Sequence, residues 1–232
     1  LHVHVGMPDP EIAIRAFNGL RSHLPLLVAL AANSPLWFGR DSGLASARFS
    51  LVRSYPRRSV PRAFRDLDDY ADTIRAVAAA GDLSDYTYVW WDVRLHPRLG
   101  TIELRELDSQ SRIADSAAIA ALVQALARYE AENPREPEAS EAISESSFRA
   151  SRDGIEATLL DEGELRPVRE IAKRTLERVG PFARELGGDR ALEGIERMLA
   201  DGGGAGRQRH ALEAGGIEGV LRQLVRETEG AG

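Results

Sequence analysis

Cysteine is absent from the 232-residue sequence, and long apolar runs are absent as well. Without cysteine there can be no disulfide, no thiolate metal site and no cysteine nucleophile. No stretch approaches the roughly 18 consecutive apolar residues of a membrane-spanning helix, so we expect no membrane partner. The longest apolar stretch, residues 24–32, contains Pro25 and predicts a buried helix instead. No basic segment with a long apolar core opens the sequence, so no secretory signal is expected and a cytoplasmic setting is favoured.

An excess of positive charge is also lacking. The 30 Lys and Arg residues are outnumbered by 36 Asp and Glu residues, which gives a net charge of −6. Nucleic-acid binding needs a basic face, so no nucleic-acid partner is expected, although local arginine clusters could still bind small anions. The sequence has no Gly-Lys-Ser/Thr phosphate loop, no dinucleotide-binding glycine turn and no Gly-x-Ser-x-Gly element. The chemistry that depends on those motifs is therefore unsupported.

The first part of the sequence alternates between strand and helix signals. His and Val alternate over residues 2–5, which predicts a strand with one polar and one apolar face. Asp9 before Pro10 predicts a capped helix start. We predict two helices here, at 10–21 and 23–33. Since Leu1 stands directly before the strand without an initiator methionine, we also expect a fragment or a trimmed product.

A long loop and a hairpin are predicted next. Residues 34–62, rich in Gly, Ser, Pro and Arg, predict a loop with one helical turn, and a helix follows at 66–80. Strands are predicted at 86–94 and 101–107, and their short connection predicts an antiparallel hairpin. Thr101, Glu103, Arg105 and Leu107 would share one face of the second strand, and Ile102, Leu104 and Glu106 the other.

The rest of the sequence predicts helices. An amphipathic helix at 114–131 would cover the sheet, and a Pro- and Glu-rich linker follows at 132–144. Further helices are predicted at 145–160, 168–186, 189–200 and 208–227, with glycines 202–204 as a flexible connection. The predicted class is α+β, with an antiparallel sheet and a largely helical C-terminal half. We divide the chain into residues 1–132 and a helical region, 133–232, that packs on them.

Two pairs of polar residues on the predicted strands could carry chemistry. His2 and His4 project from one strand face, roughly 7 Å apart, where they could bind a metal or phosphate. The other reading is one core and one surface histidine. Glu103 and Arg105 repeat this geometry, since a carboxylate suits Mg²⁺ and a guanidinium suits phosphate or carboxylate. They could equally form an ion pair on a solvated face.

Arginines form a third candidate set. A phosphoryl-transfer site needs cations around the phosphates. For any single arginine, a solvated basic loop is the simpler reading. The candidates in or beside the long loop and at the hairpin are Arg40, Arg48, Arg53, Arg57, Arg58 and Arg94.

The order of four motifs resembles the type 2 glutamate–cysteine ligase family, also called carboxylate–amine ligases. The motifs are His-Val-His-Val-Gly at 2–6, Ala-Asn-Ser-Pro at 32–35, Trp-Trp-Asp-Val-Arg at 90–94 and Thr-Ile-Glu-Leu-Arg-Glu-Leu-Asp at 101–108. Residues 149–154 and 206–209 are similar to the family's C-terminal helices. The resemblance implies a glutamine synthetase-like fold and a two-step reaction. ATP phosphorylates a carboxylate, and an amine then displaces phosphate to form an amide.

The resemblance also implies roles for individual residues. His2 and Glu103 match metal ligands, for Mg²⁺ or Mn²⁺. His4 matches a histidine near the nucleotide phosphates, and Arg105 an arginine that contacts the acyl phosphate or substrate, so both are candidate catalytic residues. Arg48 and Arg94 match arginines on the nucleotide and phosphate side. The implied partners are ATP, a small amino-acid or carboxylate substrate and an amine.

One feature of the family is missing from the sequence. The family's paired glutamates, Glu-x-Glu on an early strand, are expected upstream of Leu1, so we expect this polypeptide alone to be inactive or nearly so. A ligase with another acid and amine remains open, because fold does not choose substrates. A non-enzymatic interaction or regulatory domain with a degenerate ligase sheet is the second hypothesis.

Overall fold

The sheet that carries the candidate residues has three antiparallel strands, β1 (Val3–Gly6), β4 (Val93–His96) and β5 (Thr101–Leu104). Their order in the sheet is β1-β5-β4. The structure is a computed structural model and describes residues 1–230. In the sheet, Val5 of β1 and Leu95 of β4 both pair with Ile102 of β5.

The predicted hairpin is present, but its strands are shorter than predicted. The prediction of a strand over 86–94 is wrong, because Tyr86–Tyr88 forms a 3₁₀ turn. Asp85 caps this turn by accepting a hydrogen bond from the backbone N–H of Thr87. Arg94 donates to the carbonyls of Thr87 and Val89, at 2.7 and 3.1 Å. Polar side chains therefore use backbone groups that a longer ladder would need.

One long helix replaces the two predicted near the N-terminus. Helix α1 (Pro10–Ala31) contains Pro25, and Asp9 caps it by accepting from the N–H of Ile12. An interior proline destabilises a helix by about 3 kcal/mol. Burial of a leucine contributes about 1.5–3 kcal/mol, and Leu24, Leu27 and Leu30 are all fully buried. Packing therefore outweighs the break that the sequence predicted.

The long loop after α1 contains little regular structure. It holds the two-residue strands β2 (Leu36–Trp37) and β3 (Arg40–Asp41) and the short helix α2 (Ala47–Val52), which agrees with the predicted helical turn. Helices α3 (Leu67–Ala80) and α4 (Ile113–Glu132) follow close to their predicted positions.

The C-terminal half is mainly helical, with one β-hairpin that the sequence analysis missed. The predicted helix at 145–160 is wrong, because α5 (Ser140–Asp153) ends at Gly154, whose φ is +59°. The hairpin that follows turns at Glu162 and Gly163, both with positive φ, as a tight two-residue turn requires. Its strands are β6 (Thr158–Asp161) and β7 (Glu164–Pro167).

The last helices begin and end differently from the prediction. The predicted helix at 189–200 is divided into α7 (Asp189–Leu192) and α8 (Gly194–Ala200), after α6 (Val168–Glu185). Helix α9 (Gly203–Thr228), which is kinked at Gly215 and Gly216, starts five residues before its predicted start at 208. The run of glycines at 202–204 is therefore a helix start and not a flexible connection.

One hydrophobic core includes residues from both predicted parts of the chain. Phe17 and Leu20 of α1, Leu126 of α4, and Ile143 and Val168 from the C-terminal half are all buried in it. The fold is α+β, as predicted. The boundary at 133 stays a prediction. Within residues 1–230, no helix is both long enough and apolar enough to span a membrane.

Candidate active site on the three-stranded sheet

Three of the predicted side chains form a row across the sheet. His4 on β1 and Arg94 on β4 are both direct partners of Glu103, which lies on the central strand β5. Direct partners on adjacent strands project their side chains to the same face. Strand pairing alone therefore puts an imidazole, a carboxylate and a guanidinium side by side.

Glu103 is the centre of this cluster, which we call the Glu103 cluster: His2, His4, Arg94, Glu103 and Arg105. The Glu103 side chain is only 3% exposed. Its Oε2 accepts from Nε of Arg94 at 2.6 Å and its Oε1 from Nη1 of Arg105 at 2.5 Å. Nδ1 of His2 and Nε2 of His4 lie 3.1 and 3.6 Å from Oε1. The structure thus brings five of the six predicted site residues together.

The environment of Glu103 favours its ionised form. Burial by itself raises the pKa of a carboxyl, but hydrogen bonds from His2 and Arg94 and the charge of Arg105 lower the pKa of Glu103 well below its usual range. Burial, opposed in part by the charge of Glu103, lowers the pKa of His4. A neutral His4 is therefore expected near pH 7. Its Nδ1 lies 3.0 Å from Oγ1 of Thr101.

Arg48, the sixth predicted residue, lies beside the cluster and holds the end of β5. Its guanidinium donates to the carbonyls of Glu106 and Arg105, at 2.9 and 3.3 Å. Arg58 also donates to the Arg105 carbonyl, at 2.9 Å, and Nε of Arg58 lies 3.3 Å from Asp92. Two arginines from the long loop thus fix the backbone of Arg105. The nucleotide role predicted for Arg48 stays a prediction.

Two buried carboxyl groups next to the cluster were not among the predicted site residues. The side chains of Asp92 and Glu106 are fully buried, and Nη2 of Arg53 lies 2.8 Å from Asp92 and 3.5 Å from Glu106. Burial, and then the nearby charge of Asp92, raise the pKa of Glu106 well above its usual value. The fold therefore favours the protonated form of Glu106. The sequence signal for Glu106 was its place on the same strand face as the apolar Ile102 and Leu104.

The Ala-Asn-Ser-Pro motif holds Asp108, the last residue of the Thr101–Asp108 motif. The carboxylate of Asp108 accepts from the Asn33 N–H at 2.9 Å, the Ser34 hydroxyl at 2.7 Å and the Ser46 hydroxyl at 3.0 Å. The two motifs therefore meet directly, through Ser34 and Asp108, which are 74 positions apart in the sequence. Their contact fixes the chain where it leaves β5.

The donor atoms present do not form a complete metal site. Among residues 1–230, no three or more His, Asp or Glu side chains are placed to hold a metal ion. Mg²⁺ prefers several oxygen ligands, whereas the cluster offers one carboxylate, and both oxygens of Glu103 already accept from arginines. The metal roles of His2 and Glu103 stay predictions, because further oxygen ligands would be needed.

The remaining arginine candidates lie apart from the cluster. The guanidinium of Arg57 lies over the ring of Trp90, 5.2 Å from its centroid, and Arg40 is exposed in β3. Trp91, in the same motif as Trp90, is buried in the core.

Comparison with known proteins identifies the family. A sequence model of glutamate–cysteine ligase family 2 matches residues 1–227. Two Rubrobacter xylanophilus proteins carry the names glutamate–cysteine ligase 2-1 and glutamate–cysteine ligase 2-3. They are 40% and 43% identical to this chain, over 220 and 227 residues. These matches cover 93% and 97% of this chain. The chain belongs to glutamate–cysteine ligase family 2. The predicted family is thereby confirmed.

The family members it matches are longer than this chain. The chain spans 58% and 61% of the two Rubrobacter proteins. It also spans 61% of the glutamate–cysteine ligase of Natronomonas pharaonis, to which it is 33% identical over 231 residues.

A solved structure agrees with the fold. The crystal structure of glutamate–cysteine ligase from Francisella tularensis, in complex with AMP, superposes with a TM-score of 0.66 at 13% identity. The superposition covers 94% of this chain and 58% of that chain. At this identity the likeness shows the fold alone, and it confirms the predicted α+β class.

Proposed function

We propose that the complete protein is an ATP-dependent carboxylate–amine ligase. In the proposed reaction, a carboxylate oxygen of the acid attacks the γ-phosphorus of ATP. The bond to ADP breaks, and an acyl phosphate forms. The amine nitrogen then attacks the acyl carbon, phosphate leaves and the nitrogen loses a proton, so that an amide results.

The observation that carries this proposal is the convergence of charged groups on Glu103. Two guanidinium groups, from Arg94 and Arg105, share one carboxylate, so the three together carry a net charge of +1. Fixed positive charge in a largely buried setting stabilises the negative charge that develops on a transferred phosphoryl group. Membership of the ligase family supports the same reaction class.

The residues have distinct tasks in this proposal. Arg105 contacts the acyl phosphate, because its side chain is 14% exposed and is the more accessible of the two guanidinium groups that Glu103 binds. Arg94 is 7% exposed and is held by Glu103 and two backbone carbonyls, so it contributes mainly fixed positive charge. A neutral His4 donates a hydrogen bond to the phosphates. Arg48 would contact the nucleotide phosphates through guanidinium N–H groups that do not donate to the carbonyls of Arg105 and Glu106.

Mg²⁺ or Mn²⁺ would accompany the nucleotide in the family reaction and offset charge on its phosphates. The proposal keeps His2 and Glu103 as candidate ligands, and the other oxygen ligands would have to come from outside residues 1–230. For this reason we expect a polypeptide that begins at Leu1 to be inactive or nearly so. The acid and amine are proposed as small molecules, with glutamate and cysteine as the pair that names the family, in a cytoplasmic setting.

The test is phosphate release by the complete gene product with Mg·ATP, glutamate and cysteine. Loss of that release in Glu103→Ala and Arg105→Ala supports the assignment. Calorimetry with Mg·ATP addresses the second hypothesis, a non-enzymatic interaction or regulatory domain with a degenerate ligase sheet. Absence of nucleotide binding by the complete protein would support that alternative. Robust amide formation by a chain verified to begin at Leu1 would contradict the expected inactivity.

A further inference from the structure

We propose that Gln208 is a positioning residue for Arg105 and acts from helix α9 through Asn33, Asp108 and Arg48. The inference rests on the proposed function, because it matters for catalysis only if Arg105 contacts the reacting groups. Its structural part, a continuous set of hydrogen bonds and close charge contacts, does not depend on that function. We call this set the α9 relay.

The relay begins at the start of α9. Gln208 is buried, and its Nε2 donates to both the backbone carbonyl and Oδ1 of Asn33, at 2.8 and 2.7 Å. The backbone N–H of Ala205 donates to the carbonyl of Ala32, at 3.1 Å. A Cβ added at Gly204 would lie 2.1 Å from Oδ1 of Asn33, so only glycine allows this approach. The helix is therefore docked directly on the Ala-Asn-Ser-Pro motif.

Asn33 links the helix to the segment after β5. Its backbone N–H donates to Asp108 at 2.9 Å, and its Nδ2 donates to the carbonyl of Ser109 at 2.8 Å. Both acceptors of Asn33 thus face Gln208 while both of its donors face residues 108–109. A change in the Gln208 amide would release Asn33 from one side only and let the loop shift against Asp108.

Asp108 and Ser34 connect this point to the end of β5. The Ser34 hydroxyl donates to Asp108 and accepts from the N–H of Arg48, at 3.2 Å, while Nη1 of Arg48 lies 3.7 Å from Asp108. The Arg48 guanidinium then donates to the carbonyls of Arg105 and Glu106. The backbone of Arg105 is thereby tied, through Arg48, to a helix that starts about one hundred residues later in the sequence.

The position of Arg105 matters because its side chain makes short contacts. Its Nη1 lies 2.5 Å from Glu103, and its backbone N–H donates to the Asp92 carbonyl at 2.8 Å. A shift of about 1 Å in a positioned catalytic group can lower a rate by as much as about a hundredfold. Loss of the relay is therefore expected to reduce turnover more than substrate binding.

The experiment compares Gln208→Glu with Arg209→Ala in the complete gene product, using ATP, glutamate and cysteine. Gln208→Glu keeps the size of the side chain but replaces the donor with an acceptor that faces two Asn33 oxygens. Arg209→Ala removes the neighbouring contact of α9 with Asp41, at 3.0 Å, which lies outside the relay. We expect kcat to fall between about tenfold and about a hundredfold for Gln208→Glu, with KM for ATP within about twofold. Arg209→Ala should leave both constants within about twofold.

A double-mutant cycle separates the relay from general destabilisation. In an Arg48→Ala background, Gln208→Glu should lower kcat by no more than about a further twofold, because the link is already broken. Full additivity of the two losses would overturn the proposal. So would a Gln208→Glu variant with unchanged kcat.

A second variant and a second readout cover the case in which Gln208→Glu does not fold or the wild type does not turn over. Gln208→Asn keeps the amide but is one methylene too short to reach Asn33. Hydrogen exchange should speed up at the amides of Asn33 and Arg105 in this variant and not in Arg209→Ala. Unchanged exchange at Arg105 would overturn the relay. A wild type without ligase activity but with this exchange pattern would contradict only the proposed function.

Discussion

Arg94 and Glu103 face each other across β4 and β5, and Nε of Arg94 lies 2.6 Å from Oε2 of Glu103. Both side chains are almost completely buried. Because Glu103 also accepts from Arg105, one carboxylate compensates two guanidinium groups in the protein interior. The stability of this part of the sheet and the charge of the candidate site therefore depend on the same residue.

Replacing Glu103 with Gln should destabilise the fold strongly. The variant keeps the shape of the side chain but leaves two largely buried arginines without their counter-charge, and loss of one partner of a buried pair typically destabilises by about 3–5 kcal/mol. Urea unfolding of the complete protein measures the change. The control is Glu218→Gln, whose 80% exposed side chain pairs with Arg222, and it should change stability by less than about 0.5 kcal/mol. A Glu103→Gln protein as stable as this control would contradict the buried pair.

The pH dependence of stability should include a component from Glu106 with the opposite sign to that from Glu103. The pKa of Glu106 is raised in the fold, so above the unfolded value of about 4.3 the folded state keeps a proton that the unfolded state has lost. The free energy of unfolding therefore falls as pH rises, by up to about 1.4 kcal/mol per pH unit, until the folded pKa is reached. Glu106→Gln should make unfolding curves between pH 5 and 8 less dependent on pH. A slope identical to that of the wild type would show that Glu106 is already ionised.

Glu103 gives the reverse dependence. Its folded pKa is lowered, so its contribution is present above the unfolded pKa of about 4.3 and is lost as pH falls below that value. Unfolding measured from pH 6 down to pH 3 should show decreasing stability in the wild type. In Glu103→Gln this component should disappear, which provides the matched comparison. Equal acid sensitivity in both proteins would refute the assignment.

Local sequence rules predicted the parts of the site that depend on strand alternation. A period of two puts His2 with His4, and Glu103 with Arg105, on one strand face, and the sheet then brings both pairs together. The rules could not predict that Asp92 and Glu106 are buried together beside Arg53, because this depends on pairing between segments and on arginines from a distant loop. For the same reason they missed that Gly204, within the run of glycines at 202–204, is packed against Asn33. A tight contact and a flexible linker can require the same residue type.

Gly204→Ala and Gly206→Ala offer a paired test of that contact on helix α9. A Cβ at position 204 would lie 2.1 Å from Oδ1 of Asn33, whereas one at position 206 meets no atom within 4 Å. Alanine in place of an unconstrained helical glycine usually stabilises by about 0.4–1 kcal/mol, so Gly206→Ala should raise the melting temperature. Gly204→Ala should lower it, because Asn33 and its hydrogen bonds must move. Similar shifts in both variants would refute the close packing of α9 on Asn33.

Arg105→Ala should reduce turnover without unfolding the protein. Removing one group that stabilises developing negative charge typically lowers kcat by about 10²–10³-fold, and a similar loss is expected here, with a smaller change in KM for ATP. Arg105→Lys should recover little, because an ammonium group cannot reproduce the planar, forked donors of a guanidinium. Arg98→Ala is the control on the same hairpin, since Arg98 is 71% exposed and pairs with Asp85 at the surface. If Arg105→Ala and Arg98→Ala both had a kcat within about threefold of the wild-type value, the result would contradict a catalytic role for Arg105.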